Sequence, residues 1–471
     1  MARFLILIPD GVGVRNFLCS GVASQLAQRG EVEVWHPFDG GSTVAELYSA
    51  ARGSVSQWSP LPSASELTLP RLLRHAKVLA HLHRHSGEDF NQLSIDLIHR
   101  NRRVAVRVLN AVAEALARCN ASDEGVATLH QWHEWSVRRG PEYRQARTRL
   151  IERRPDVVFC THQRALLAVP VMAAARELGI PAATFVYSWD NLPKGRMAVH
   201  ADHVLVWSEH MAAEMARYSP DHPAGCVHIT GTPQFEPYFD RSLAEPRDQF
   251  LCRHGVDPAD FVVCFSGDDT LTSPNDPLYL EALAIATAGL TVSGRRVSIL
   301  FRRCPADGTQ RFARVLAQHS GIAVSDPLWS KSLDWSTSIP TRADNALLAN
   351  VVRHSDLVVN LGSTMAADFA VLGKPAIFVA WDALPNQWPS TAELYRLPHF
   401  RLVDECGPVY RATGPEHLRE LVVQALSEPE QLASARETFL RKLALHPMED
   451  ASTRIAEALL RIAGRAEHLH Q

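Results

Sequence analysis

Phe4-Leu5-Ile6-Leu7-Ile8-Pro9-Asp10-Gly11-Val12-Gly13 is an unbroken apolar run that ends in a glycine-bearing turn. Five successive apolar residues suit a strand covered on both faces, as in a parallel sheet. Leu18, Val22 and Leu26 follow at helical spacing, Gly30 closes that stretch, and Val32 to Trp35 supplies another strand. Strand, turn, helix and strand in this order make a βαβ unit. The run is too short for a secretory leader, breaks at Pro-Asp-Gly and has no small-residue cleavage site after it. It reads as a buried first strand, and with no long uncharged apolar stretch the expectation is a cytoplasmic protein.

The same alternation returns further along. Val157 to Cys160, Ala183 to Val186, His203 to Val206 and Val227 to Thr230 read as strands of a first Rossmann-like domain, residues 1–235. Gly231 to Asp248, rich in Pro, aromatic and charged residues, reads as a linker. A second α/β domain, 246–445, has strands at Phe261 to Phe265, Val297 to Phe301, Ile322 to Val324, Leu357 to Val359 and Ala376 to Val379. Residues 446–471 form a last helix that can cross back to the first domain. Between about 66 and 154 the pattern is helical without a strand, which predicts a helical insertion. This window holds 16 Arg and Lys against 10 Asp and Glu, a balance of +6. Ordinary solvated faces and a basic surface for peripheral contact with an anionic membrane both stay open.

The chain has 471 residues, 46% hydrophobic and 21% charged, with a formal net charge of −3. This length suggests two or three domains, and the balance gives no electrostatic reason to expect nucleic acid. No two of the eight cysteines make a C-x-x-C pair. Buried reduced thiols are the expectation, with no metal site.

Four segments carry chemistry. Asp10-Gly11-Val12-Gly13 stands at the carboxyl end of the first strand, where open parallel sheets bind ligands. Position 16 is Asn, so the dinucleotide fingerprint is incomplete. Asp10 is a candidate general base with a raised pKa, or only a turn former; Gly11 and Gly13 permit a close ligand. Ser188-Trp189-Asp190-Asn191-Leu192-Pro193-Lys194 follows a buried strand and offers a stacking ring, an acceptor, an amide and a cation. Asn360-Leu361-Gly362-Ser363-Thr364 runs a strand into a helix whose first amides can hold phosphate. Asp368, one turn on, can accept from a ribose or sugar hydroxyl, and Gly373-Lys374-Pro375 follows. Arg302 and Arg303 emerge at another strand end as a candidate pyrophosphate clamp. Gly267 stands in the loop after the first strand of the second domain and is placed at the donor.

With Ser188 to Leu192, Val204-Leu205-Val206-Trp207, Ile229 to Phe235, Ser355 to Asp368 and Gly373-Lys374-Pro375 in this order, the chain resembles GT-B glycosyltransferases. It is most similar to bacterial surface-polysaccharide enzymes and CDP-glycerol glycerophosphotransferases, over roughly 155 to 380. The resemblance implies a nucleotide diphosphate sugar held mainly by the second domain and a glycan or lipid-linked acceptor held by the first. It also implies no metal and no other cofactor. Relatives carry Arg-x-His-Pro where this chain has Arg302-Arg303-Cys304-Pro305, which argues against glycerophosphate transfer. The expected function is metal-independent, inverting sugar transfer in polysaccharide biosynthesis, with Asp10 or His162 as the base. A sugar-nucleotide 2-epimerase of the same fold and a non-catalytic binding module are the alternatives.

Overall fold

The computed structural model describes residues 1–38, 41–51, 53–62, 66–100, 103–330 and 337–467. Two parallel sheets dominate it. The first is built from β1 (Ala2–Leu7), β2 (Gly30–His36), β3 (Gln57–Pro60), β4 (Val157–Cys160), β5 (Ala182–Phe185), β6 (His203–Val206) and β7 (Val227–Ile229). Their spatial order is β3-β2-β1-β4-β5-β6-β7, so chain order reverses between β1 and β4. Phe4 pairs with Val157 and Leu7 with Cys160 across that junction. The central strand β4 and the inner part of β1 are apolar because helices cover both faces; Leu5, Ile6, Val158 and Phe159 are all buried.

The second sheet takes β8 (Phe261–Ser266), β9 (Thr291–Val292), β10 (Arg295–Arg302) and β11 (Ala323–Val324) on one side. A hairpin of β12 (Trp329–Ser330) and β13 (Ile339–Pro340) stands apart, and β14 (Leu357–Asn360), β15 (Ala376–Val379) and β16 (Tyr410–Ala412) complete the sheet. The order β11-β10-β8-β14-β15-β16 reverses between β8 and β14. Such reversals open crevices beyond the carboxyl ends of the strands. The molecule therefore has one crevice in each sheet.

Between β3 and β4 lie helices Thr68–His85, Gln92–His99, Val104–Cys119, Asp123–Val137 and Pro141–Arg153. The segment after β7, read as the linker, is buried in its first part and largely exposed from Phe239 on. It forms tight turns at Pro233–Tyr238 and Arg241–Leu243, with Phe235 and Tyr238 buried and Glu236 accepting from Ser452. The last helix, Ala451–Glu467, buries Ile455 and Leu459 in the core of the first sheet, and Gln25 donates to Thr453 at 2.9 Å. Among the described residues no helix is long and apolar enough to cross a membrane. All eight cysteines are free, but the expectation of burial holds only in part: Cys160 and Cys264 are buried, whereas Cys119 and Cys252 are exposed.

Candidate active site

At the first crevice the loops after β1 and β4 meet, and His162 Nδ1 lies 2.6 Å from Asp10 Oδ2. The other carboxylate oxygen accepts from the Gly13 amide at 2.9 Å and caps the turn. Burial opposes the charged form of Asp10. The hydrogen bond and charge of His162, with the Gly13 and Val12 amides, outweigh it and hold the carboxyl below its ordinary range. The raised pKa expected of a general base is thus reversed. An anionic Asp10 keeps the His162 proton on Nδ1 and leaves Nε2 as the basic atom. Tyr187 packs on His162 with ring centroids 4.1 Å apart.

Gly11 and Gly13 do not leave room for a ligand. A Cβ on Gly11 would lie 2.2 Å from the Ser338 carbonyl and 2.7 Å from the Trp329 ring, so the β12–β13 hairpin fills that space. On Gly13 it would lie 2.6 Å from Thr161 Oγ1. Both glycines serve close packing within the chain.

At the second crevice the loops after β8 and β14 face the Ser188–Lys194 loop across a cavity of about 1010 Å³. Its walls include His162, Arg164, Asp190, Asp268, Gly362, Ser363 and His399. The two loops also touch: Trp189 Nε1 donates to Thr364 Oγ1 at 3.2 Å. Trp189 is buried with its ring edge-on to His399, Phe400 and Phe439, so it pins the halves together and is no stacking platform. Burial penalises the charge of Asp190, yet Lys194, His399 and Ser188 more than compensate and hold it well below the carboxylate range. Lys194 is spent in an ion pair with Asp190. Asn191 is buried, donating to Asp190 at 2.9 Å and accepting from Gln163 at 3.0 Å.

The expected phosphate cradle is narrower than the sequence suggests. The helix beyond it, Met365–Val371, has 7 residues, which limits its dipole. Asn360 Oδ1 already accepts from the amides of Gly362 (2.8 Å) and Ser363 (3.0 Å). The Ser363 hydroxyl and Thr364 amide are the donors left. Gly362 has φ +101 and faces the Phe400 ring, which a Cβ would meet at 2.7 Å; no other residue fits there.

Four expected donor ligands lie elsewhere. Arg302 is buried in an ion pair with Asp344 at 2.8 Å, and Arg303 pairs with Asp326 at 2.9 Å. Their strand, β10, is one place removed from the β8–β14 crevice, and neither arginine lines the cavity. Asp368 is buried, accepts from Gln234 at 3.3 Å and is pushed up to about 6 by burial; it ties down the crossing segment. Gly267 packs against Phe301 and Phe312. Lys374 closes the end of helix Arg342–His354, donating to the carbonyls of Val352, Arg353 and Ser355.

Four further groups stand in the cavity wall: Asp268 belongs to the loop 266–270 that the sequence places at the donor, whereas Arg164, Tyr187 and His399 were missed. Arg164 is exposed and has no ion-pair partner among the described residues; it stands two places after His162. Tyr187 packs on His162. Asp268 is raised to about 6 by burial and by Asp269. His399 is held neutral, down at about 3, by burial and Lys194, and its Nδ1 has no partner among the described residues. Among the described residues no group of three or more His, Cys, Asp or Glu could hold a metal ion.

The sequence matches no family model, and no curated protein matches it. Solved structures match along nearly the whole chain. A putative UDP-N-acetylglucosamine 2-epimerase from Listeria monocytogenes is 9% identical, covers 97% of this chain and 95% of its own, and superposes with a TM-score of 0.55. MnaA of S. aureus, solved with UDP, is 10% identical over 98% of each chain at 0.54. A glycosyltransferase from Rickettsia africae is 11% identical over 98% and 99%, at 0.50. These likenesses fix the architecture as the GT-B fold: two Rossmann-like sheets facing each other across a cleft.

Proposed function

We propose that the protein moves a sugar from a nucleotide diphosphate sugar to a hydroxyl of a glycan or lipid-linked acceptor. The observation that carries this reading is the Asp10–His162 hydrogen bond, which stands where the donor cavity meets a second chamber at the first crevice. His162 Nε2 takes the acceptor proton, the acceptor oxygen bonds to the anomeric carbon, and the bond from that carbon to the diphosphate breaks. The nucleoside diphosphate leaves with the electron pair, its charge met by Arg164, the Ser363 hydroxyl and the Thr364 amide. Attack opposite the leaving group inverts the anomeric centre. Asp10 is a positioning residue in this scheme.

A second reading has a specific observation in its favour. Asp190, Asp268 and Asp269 face the same cavity, and carboxylates around the sugar suit a 2-epimerase, the activity named for the similar Listeria structure. The second chamber is then superfluous, which favours transfer. Glycerophosphate transfer and a non-catalytic role have no comparable support.

UDP-sugars incubated with the protein alone, then with hydroxyl acceptors, separate the readings. Transfer predicts nucleoside diphosphate release that rises with acceptor and no epimer. An epimer formed without acceptor overturns it.

A further inference from the structure

The second chamber, of about 810 Å³, opens at Asp10 and His162 and does not include the Gly362–Thr364 turn. His162, Arg164 and Tyr187 line both cavities, so the imidazole stands at their junction. Away from that end most of the wall is apolar. Phe38 and Leu61 come from beyond β2 and β3, Pro70 and Val137 from two of the helices between the strands, and Leu167 and Val169 from beyond β4. Leu67 and Leu166 also line the chamber and remain 49% and 39% exposed at its edge. Apolar side chains left in water around a concave apolar surface mark a ligand site. Glu142 and Glu66 also line it, the latter paired with Arg74 at 2.7 Å.

We infer that this chamber takes the uncharged apolar body of the acceptor, so that the acceptor is an amphiphile whose hydroxyl-bearing head lies at His162. The inference rests on the transfer reading and narrows it: a free polar glycan would leave the apolar wall unfilled. Burying each methylene of such a body tightens binding about fourfold.

The test uses the full chain with butyl, hexyl and octyl glucoside, each below its micelle concentration, by titration calorimetry, and UDP binding in parallel. Affinity is expected to rise about fourfold per added methylene until the chamber is full. Leu67→Glu with Leu166→Glu, both at exposed positions, should weaken octyl glucoside roughly tenfold or more while the melting temperature and UDP affinity stay unchanged. Equal affinity along the series, or an unaffected double variant, overturns the inference; intact UDP binding would then leave the transfer reading standing. A chain-length effect without UDP binding would instead uphold the apolar site and sink that reading. A long-chain glucoside in phosphatidylcholine vesicles tells the sources apart: co-sedimentation means the amphiphile is drawn from a bilayer, and its absence beside octyl glucoside binding means uptake from solution.

Discussion

Asp10→Asn perturbs one atom of the proposed site. The Asn carbonyl can still accept from the Gly13 amide, as Asp10 Oδ1 does at 2.9 Å, so the turn survives. The amide nitrogen then replaces the oxygen that lies 2.6 Å from His162 Nδ1. It can only donate, so His162 moves its proton to Nε2, the atom meant to receive one. Losing a charge-assisted hydrogen bond alone costs about 1.5–3 kcal/mol, or roughly 10- to 150-fold. Loss of the correct tautomer brings the expected fall in kcat to about 10²–10⁴-fold, the range of general-base catalysis. KM should change little, since neither atom binds the donor. The assay is nucleoside diphosphate release at saturating donor for Asp10→Asn, His162→Ala and the double variant. Residues that act as a unit are non-additive, so the double variant should be no slower than His162→Ala. A kcat for Asp10→Asn within about threefold of wild type, against the 10²-fold minimum expected here, would refute the reasoning. So would a double variant whose loss is the product of the single losses.

Two further outcomes follow from burial. Arg302→Ala removes the cation from buried Asp344, which keeps only its hydrogen bonds from Leu328 and Trp329, and should cost about 3–5 kcal/mol in denaturant unfolding, whereas Arg164→Ala should leave stability within about 0.5 kcal/mol and lower turnover. The reverse pattern would restore Arg302 to the site. His222, held down at about 4 by burial and by Arg196, is neutral in the folded protein and ordinary once unfolded. Its contribution is present above about pH 6.5 and is lost as pH falls towards 4. Melting curves from pH 7.5 to 4.5 should therefore fall less steeply for His222→Gln, which can still donate to the Ala201 carbonyl; an unchanged slope counts against the assignment.

The central strands of both sheets were legible because each is an apolar run of four or more residues bounded by turn formers. β3, Gln57-Trp58-Ser59-Pro60, and β16, Tyr410-Arg411-Ala412, were not. They are edge strands with polar residues, and tertiary pairing alone makes them strands. Asp10 and His162 could each be singled out, but they are 152 residues apart and only the strand order joins them. The same rule misplaced Arg302 and Arg303: a strand end is informative only beside the reversal point, and β10 is not beside it. Asn360 shows a subtler loss. Its side chain uses amides that the Gly-Ser-Thr pattern offers to phosphate, a local competition that spacing does not reveal. Arg164 had a signal available, its place in the loop after β4. His399 had none.

The most direct measurement is titration of nucleoside diphosphates into the wild-type protein and into Ser363→Asp. A carboxylate beside the Thr364 amide should repel the diphosphate and leave the ligand-free melting temperature unchanged. The account predicts one site per chain in the wild type and at least roughly 100-fold weaker binding in the variant, as for like charges a few ångströms apart. Binding of equal strength in both proteins, or none in the wild type, would contradict it.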